Sequence, residues 1–135
     1  MILGVDPGER RVGVAVADRD TRIARPVEVI DRAHTDPFAR LAELVVDLDV
    51  EEIVVGRPTS LSGGQGPAVD AQQVFIEQLR RLIDVRVTDW DERLTTILAE
   101  QGMLAAGASA ANRKKKRDAV AAQIMLQGYV DVAWH

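Results

Sequence analysis

The sequence predicts a mixed α/β fold, and three observations carry that prediction. Three short apolar, β-branched runs stand close together near the N-terminus, the hydrophobic period turns helical after Asp31, and two further short apolar runs each lead into a helical pattern. Ile2 to Val5 is an apolar run stopped by Asp6-Pro7-Gly8, turn chemistry that ends a strand. Arg11 to Ala17 is again apolar, and Ile23 to Ile30 follows the polar break Asp18-Arg19-Asp20-Thr21; the short links predict an antiparallel meander. Asp36-Pro37 reads as a helix start, a capping carboxylate followed by proline at the first helical position, and Phe38, Leu41, Leu44, Val45 and Leu48 mark one helical face.

A strand is expected over Glu52 to Val55, followed by Gly56-Arg57-Pro58 and a polar, glycine-rich loop through Gly66. Pro67 opens a second helix with Val69, Gln73, Ile76, Leu79 and Ile83 on its apolar-leaning side. Val85 to Thr88 is a short strand closed by the acidic cluster Asp89-Trp90-Asp91-Glu92. A helix over Thr95 to Ala105, a loop over Gly107 to Asn112 and a last helix from about Lys116 to Val132 complete the order. This order implies one domain over residues 1–135 built on a five-stranded mixed sheet, a three-strand antiparallel meander plus two parallel strands, with helices on both faces. Right-handed crossovers place the fourth strand beside the first. The first strand then sits where the strand order reverses, and its C-terminal end, marked by Asp6, is where open α/β sheets bind ligands.

Composition narrows the chemistry. At 47% hydrophobic and 28% charged, the 135 residues can fill a globular core, which argues against disorder. Cysteine is absent, so thiol catalysis, zinc–thiolate sites and disulfides are excluded. Met1 leads straight into an apolar strand with no basic leader, and no apolar stretch approaches the roughly 20 residues that span a bilayer, so a cytoplasmic location with no membrane partner is expected. The formal net charge is −4, yet all three lysines lie together in Arg113-Lys114-Lys115-Lys116-Arg117. A basic coat over the whole surface is therefore not expected, while the sequence leaves room for a local basic patch beside an acidic site. Aromatic residues make up 4% of the chain, too few for base stacking to dominate recognition.

Three acidic positions close a strand or open a helix at the predicted sheet edge: Asp6, the pair Asp91 and Glu92, and Asp118. At 100° per residue Asp118 shares a face with Ala122, Met125 and Tyr129, the stripe expected to pack on the sheet. Each acid has an ordinary role available: Asp6 as a turn cap, Asp91 or Glu92 in a solvated loop, Asp118 as an acid at a helix start. Taken together, inward carboxylates need compensation. A cluster of them suits a hard divalent cation that keeps open positions for water and phosphate oxygens. Gly56 to Gly66 matches neither a phosphate-binding loop nor a dinucleotide fingerprint. The basic run just before Asp118 fits phosphate contacts beside a metal centre, with a solvated patch as the plainer alternative. His34 and His135 are not expected to be ligands.

Four motifs in order carry a resemblance over essentially the whole chain: Asp6-Pro7-Gly8-Glu9-Arg10-Arg11-Val12-Gly13-Val14-Ala15; Val55-Gly56-Arg57-Pro58 with the Gly63 to Gly66 loop; Asp91-Glu92-Arg93-Leu94-Thr95-Thr96; and Lys115-Lys116-Arg117-Asp118 before Ala121-Ala122 and Leu126-Gln127. Together they resemble the YqgF family, small bacterial proteins of the ribonuclease H-like superfamily described as Holliday junction resolvases and as nucleases maturing the 5′ end of pre-16S ribosomal RNA. The resemblance implies a ribonuclease H-like fold and an acidic metal-binding triad of Asp6, Glu92 and Asp118, with Asp91 as the alternative middle ligand. The glycine-rich loop departs from the family pattern at Arg57, Thr59, Ser60, Ser62 and Gln65, where acidic and amide groups are missing.

The resulting expectation is an Mg²⁺- or Mn²⁺-dependent endonuclease acting on structured nucleic acid, pre-ribosomal RNA ahead of branched DNA. Two ions about 3.5–4 Å apart would activate a water and stabilise the leaving oxygen. Arg11, Arg57, Arg93, Arg113, Lys114, Lys115 and Lys116 are expected to hold the phosphate backbone. Two rivals are weighed against it. Asp6-Pro7-Gly8 with Gly13 also resembles the phosphate loop of actin-like ATPases and sugar kinases, which need two such domains where this length supplies one. A non-catalytic RNA-binding assembly factor would leave the acids structural. The sequence fits a monomer or a homodimer.

Overall fold

In the computed structural model, residues 1–57, 67–91 and 110–134 are described, with side chains over 1–56, 71–90 and 120–134. The strands are β1 (Ile2–Pro7), β2 (Arg11–Ala17), β3 (Ala24–Asp31), β4 (Glu52–Arg57) and β5 (Arg86–Asp91), and the helices described are α1 (Pro37–Asp47), α2 (Pro67–Leu82) and α3 (Ala110–Ala133). The strands form one sheet in the order β3-β2-β1-β4-β5. β1–β2 and β2–β3 pair antiparallel, β1–β4 and β4–β5 parallel, so the meander and the crossover beside β1 are as the sequence implies. Asp36 caps α1 as expected, its Oδ1 accepting the Phe38 N–H at 3.0 Å with Pro37 opening the helix.

Several boundaries differ from the sequence reading. β1 runs on to Pro7 and β4 to Arg57, so Gly56 and Arg57 belong to a strand, not a loop. β5 spans Arg86–Asp91 instead of 85–88, because pairing with β4 carries Asp89, Trp90 and Asp91 into the ladder opposite Val55, Gly56 and Arg57. β3 begins at Ala24, leaving Ile23 exposed. α3 begins at Ala110, so Ala110 to Asn112 are helical where a loop was expected. Ala110, Ala111, Arg113 and Lys114 are strong helix formers, and their propensity prevails over Asn112 and the small-residue appearance of the segment. The basic run 113–117 therefore lies inside α3, and Asp118 stands more than two turns into it, which removes the helix-start role for that acid. The expected helix over 95–105 and the loop over 58–66 lie outside the described residues.

Strand alternation assigns the two faces. Leu3, Val5, Val12, Val14, Ile53 and Val55 enter a core closed by Leu41 and Leu44 of α1 and by Phe75, Ile76 and Leu79 of α2. Ile2, Ala15, Ala17 and Val54 face Ala122, Met125, Leu126 and Val130 of α3. Gly4, Ala15 and Ala17 on this second face are small, which lets α3 come close. A Cβ added to Gly4 would sit 2.8 Å from the Leu126 Cβ.

A polar clasp holds α3 a second time. Glu52, only 8% exposed, accepts hydrogen bonds from Thr88 Oγ1 at 2.7 Å and Tyr129 OH at 2.8 Å, with Arg86 Nε 3.9 Å away. A carboxylate this deep is costly without such donors. Trp90 packs edge-on against Tyr129 at 5.4 Å between ring centroids, a packing role in keeping with its sequence context. Glu52 pairs with Ile2 and Leu126 covers Gly4, while Trp134 lies under the Arg19 guanidinium just past Ala17, the register partner of Ile2. Rising residue number along α3 therefore leads away from the Asp6 edge and towards the Ile2 edge.

Two outcomes follow from this packing. Gly4→Ala should destabilise the fold by about 1–3 kcal/mol through overpacking, and in a Leu126→Ala background the same change should cost far less; equal costs in denaturant titrations of both backgrounds would contradict the contact. Burial, and then the hydrogen bond to Glu52, hold the Tyr129 phenol above the usual tyrosine value. A raised folded value means its contribution is fully present below about pH 10, the ordinary tyrosine pKa, and is lost as pH rises through the raised one. Tyr129→Phe should therefore cost about 1 kcal/mol at pH 8, and the gap between wild type and variant should narrow in more alkaline buffer.

Candidate active site

Asp6 is the penultimate residue of β1 and pairs with Gly13 of β2. It follows Ile2 and Gly4 in the alternation, which puts it on the α3 side of the sheet, half-buried. Arg11 belongs to the same face, two residues before Gly13, at the same end of the sheet. The side chain is half-buried, and its Nη1 is fully buried with no hydrogen-bond partner among the described residues. A guanidinium nitrogen withdrawn from water without an acceptor is costly, so an acceptor from outside would be well received there.

The link between β1 and β2 is tight. Gly8 N–H donates to the Arg11 carbonyl at 2.8 Å, and a Cβ at Gly8 would meet that same oxygen at 2.8 Å, which restricts the position to glycine. The chain leaving β3 is tied to this turn twice: Arg32 N–H donates to the Arg10 carbonyl at 2.9 Å and Arg32 Nη1 to the Gly8 carbonyl at 2.9 Å. The turn that follows Asp6 is thus fixed by backbone hydrogen bonds and by one guanidinium.

The other expected site residues are placed by backbone position or not at all. Arg57 and Asp91 face one another in the β4–β5 register, at the same end of the sheet as Asp6. Position 91 follows Val87 and Asp89 in the alternation, the set that includes the α1–α2 core residue Val87, whereas Asp6 belongs to the opposite set. Asp118 occurs four residues before Ala122 and seven before Met125, both fully buried against the sheet. Arg113, Lys114, Lys115 and Lys116 occupy the first turns of α3, in the direction away from the Ile2 edge. Glu92 and Arg93 lie outside the described residues. Among the described residues no three His, Asp or Glu side chains are grouped to hold a metal ion, and no helix is long and apolar enough to cross a membrane.

Two residues near this edge escape the sequence reading. Gln72 of α2 is buried, its Nε2 donates to the Gly56 carbonyl at the exit of β4, and its Oε1 has no partner among the described residues. Phasing the helix on Phe75, Ile76 and Leu79 would have exposed it, since Gln72 stands three, four and seven residues before them; phasing on Val69 put Gln73 there instead. Arg32 sits in a polar turn and shows itself only once β2–β3 register is known.

A mixed sheet in this order, with a carboxylate closing the strand at the switch in strand order, defines the class: a ribonuclease H-like fold of the junction-resolvase type. Solved structures agree on the fold. Thermus thermophilus RuvC in complex with a Holliday junction substrate is 18% identical with a TM-score of 0.56, covering 98% of this chain and 94% of that one. Fowlpox virus resolvase with its Holliday junction DNA is 12% identical with a TM-score of 0.56, covering 99% of each. Residues 1–132 match the family model RuvX, described as Holliday junction resolvase. Curated relatives named "Putative pre-16S rRNA nuclease" are 42% identical over 134 residues in Bacillus mycoides (strain KBAB4) and 41% over 133 in Bacillus thuringiensis (strain Al Hakam), each alignment covering 96% of this chain and 97% of the relative. The chain belongs to the RuvX family, also called YqgF, and is a nuclease.

Proposed function

We propose that this nuclease is a divalent-metal-dependent endonuclease that cuts structured RNA, with maturation of the 5′ end of pre-16S ribosomal RNA as its role. The observation that carries the reading is the placement, on one face and at one end of the sheet, of Asp6 and Arg11, whose buried Nη1 has no hydrogen-bond partner among the described residues. The ribosomal substrate is favoured because relatives of that name match over nearly their whole length at 42% identity. The family model's description keeps cleavage of four-way DNA as the second reading.

Asp6, Glu92 and Asp118 would hold the metal. All three are hard oxygen donors, the chain offers no thiol, and the described histidine, His34, is exposed beside Asp31, so the donor chemistry fits Mg²⁺ or Mn²⁺. Support for Glu92 over Asp91 comes from alternation, since position 91 belongs to the set facing α1 and α2. Support for Asp118 comes from the direction of α3: it stands eight residues before Leu126, about 12 Å of helix, while Asp6 stands about 7 Å of strand beyond Gly4. When bound, the ions supply the Lewis acidity that makes water a nucleophile and neutralises the leaving oxygen.

The chain's own residues do the rest. Arg11, half-buried on the same face as Asp6, offers the accessible part of its guanidinium to a phosphate oxygen, a charge-assisted contact that orients the scissile group. Arg57, Arg93 and the run Arg113, Lys114, Lys115 and Lys116 hold flanking phosphates without reading bases. Net negative charge repels the substrate until the triad is neutralised, so metal precedes tight binding. A precursor-rRNA substrate places this work in the cytoplasm.

The test compares a pre-16S RNA fragment with a four-way DNA junction under identical Mg²⁺ or Mn²⁺ conditions. Faster cutting of the RNA supports the proposal, faster cutting of the junction supports the second reading, and binding without cutting of either would contradict both. Asp6→Asn should abolish cleavage, leave the fold intact and remove most of the rise in melting temperature that divalent metal gives the wild type. An Asp6→Asn protein that cuts at the wild-type rate would overturn the assignment.

A further inference from the structure

We propose that Arg10 and Arg32 form a second phosphate-contact patch, on the β1–β2 turn, across the sheet edge from the basic run of α3. The inference rests on the nuclease reading above and extends its substrate footprint.

Arg19, Arg40 and Arg86 each lie within 4.0 Å of a carboxylate. Arg19 pairs with Glu51 at 2.8 Å, and Arg40 pairs with Glu28 at 2.7 Å and with Glu43 at 3.0 Å. Around the turn that follows Asp6 the pattern reverses: Arg10, Arg11 and Arg32 form no ion pair among the described residues. Arg10 and Arg32 are both exposed. Acidic neighbours are present but placed otherwise. Asp31, opposite Arg11 in the β2–β3 register, has Oδ1 accepting from the Ala33 N–H at 2.9 Å and Oδ2 3.9 Å from His34 Nε2. Glu9 is exposed at the tip of the turn.

Arg32 is also pre-positioned. Its Nη1 donates to the Gly8 carbonyl at 2.9 Å, and its guanidinium carbon lies 5.7 Å from the centre of the buried Phe75 ring of α2. One nitrogen and one ring hold the group still while its other N–H donors have no partner among the described residues, so little side-chain entropy is lost when they meet a phosphate. The Arg32 N–H to Arg10 carbonyl bond fixes the backbone of the two residues together. Arg11 serves the α3 face, Arg10 the turn tip and Arg32 the α2 side, so the three cations wrap the end of the sheet. Gly8 is two residues beyond Asp6, about 7 Å at the strand rise, so a backbone cut at Asp6 must pass this turn.

Counterion release provides the test, because each phosphate contact contributes to the salt dependence of binding and a purely structural arginine does not. A fluorescent pre-16S RNA hairpin and a DNA duplex of equal length are titrated with Ca²⁺ held constant in place of Mg²⁺ or Mn²⁺, at several KCl concentrations, with wild type, Arg10→Ala, Arg32→Gln and the double variant. The double variant should lose about 1.4 from the magnitude of the log–log slope on single-stranded RNA segments, or about 1.8 on duplex. Arg32→Lys, which keeps the charge, should retain the wild-type slope, and Arg19→Ala, at the far end of the sheet, should leave it unchanged. The Arg10 side chain is exposed and makes no hydrogen bond or ion pair among the described residues, so its variant reports even if Arg32→Gln fails to fold. Unchanged slopes for Arg10→Ala and for a folded Arg32→Gln, with a wild type that binds and cuts, would overturn this inference alone. A wild type that binds neither nucleic acid would overturn it together with the nuclease substrate reading.

Discussion

The close approach of α3 to β1 is the contact on which the rest of the molecule depends. Gly4 has no side chain to hold the helix off, Leu126 fills the space, and any Cβ at position 4 would overlap it at 2.8 Å. Alanines at 15 and 17 flatten the neighbouring sheet surface, and the Glu52–Tyr129–Thr88 clasp fixes the other half of the helix. Those contacts decide which end of α3 meets which end of the sheet. They direct its basic N-terminal turns away from the Ile2 edge, towards the end of the sheet that carries Asp6.

Charge is distributed to match. The chain is acidic overall, with a net charge of −4, yet its ligand is proposed to be a polyanion. Attraction must then come from a few uncompensated cations, not from the field of the whole protein. At the Ile2 end, Arg19 and Arg86 are placed beside Glu51 and Glu52. At the Asp6 end, among the described residues, the turn arginines have no carboxylate partner and one buried Arg11 nitrogen has no hydrogen-bond partner. Polar groups left in that state are costly to the free protein and favour whatever ligand completes them.

Much of the fold is legible in the sequence because its signals are local. Asp36-Pro37 states a helix start, Asp6-Pro7-Gly8 a strand end, and the apolar periods separate strands from helices. Boundaries set by pairing are less visible: Asp89 to Asp91 join β5 only because β4 lies beside them, and a local reading places them in a loop. Ala110 to Asn112 show the converse, a segment that looks like a loop but whose two alanines, with the Arg and Lys that follow Asn112, favour helix. Asp6 is readable as a candidate site residue from its place at the end of an apolar strand. Arg32 and Gln72 are not, because their roles arise from β2–β3 register and from the exact phase of α2 against Gly56.

The central claim is that Asp6 and Asp118, separated by most of the chain, share one metal site. Calorimetric titration of Mn²⁺ into wild type, Asp6→Asn, Asp118→Asn and the double variant tests it through the coupling between the two positions. Shared ligation predicts that either single substitution removes most of the affinity and that the second adds little. An Asp118→Asn protein that binds Mn²⁺ as tightly as wild type, or two losses that simply add, would contradict it.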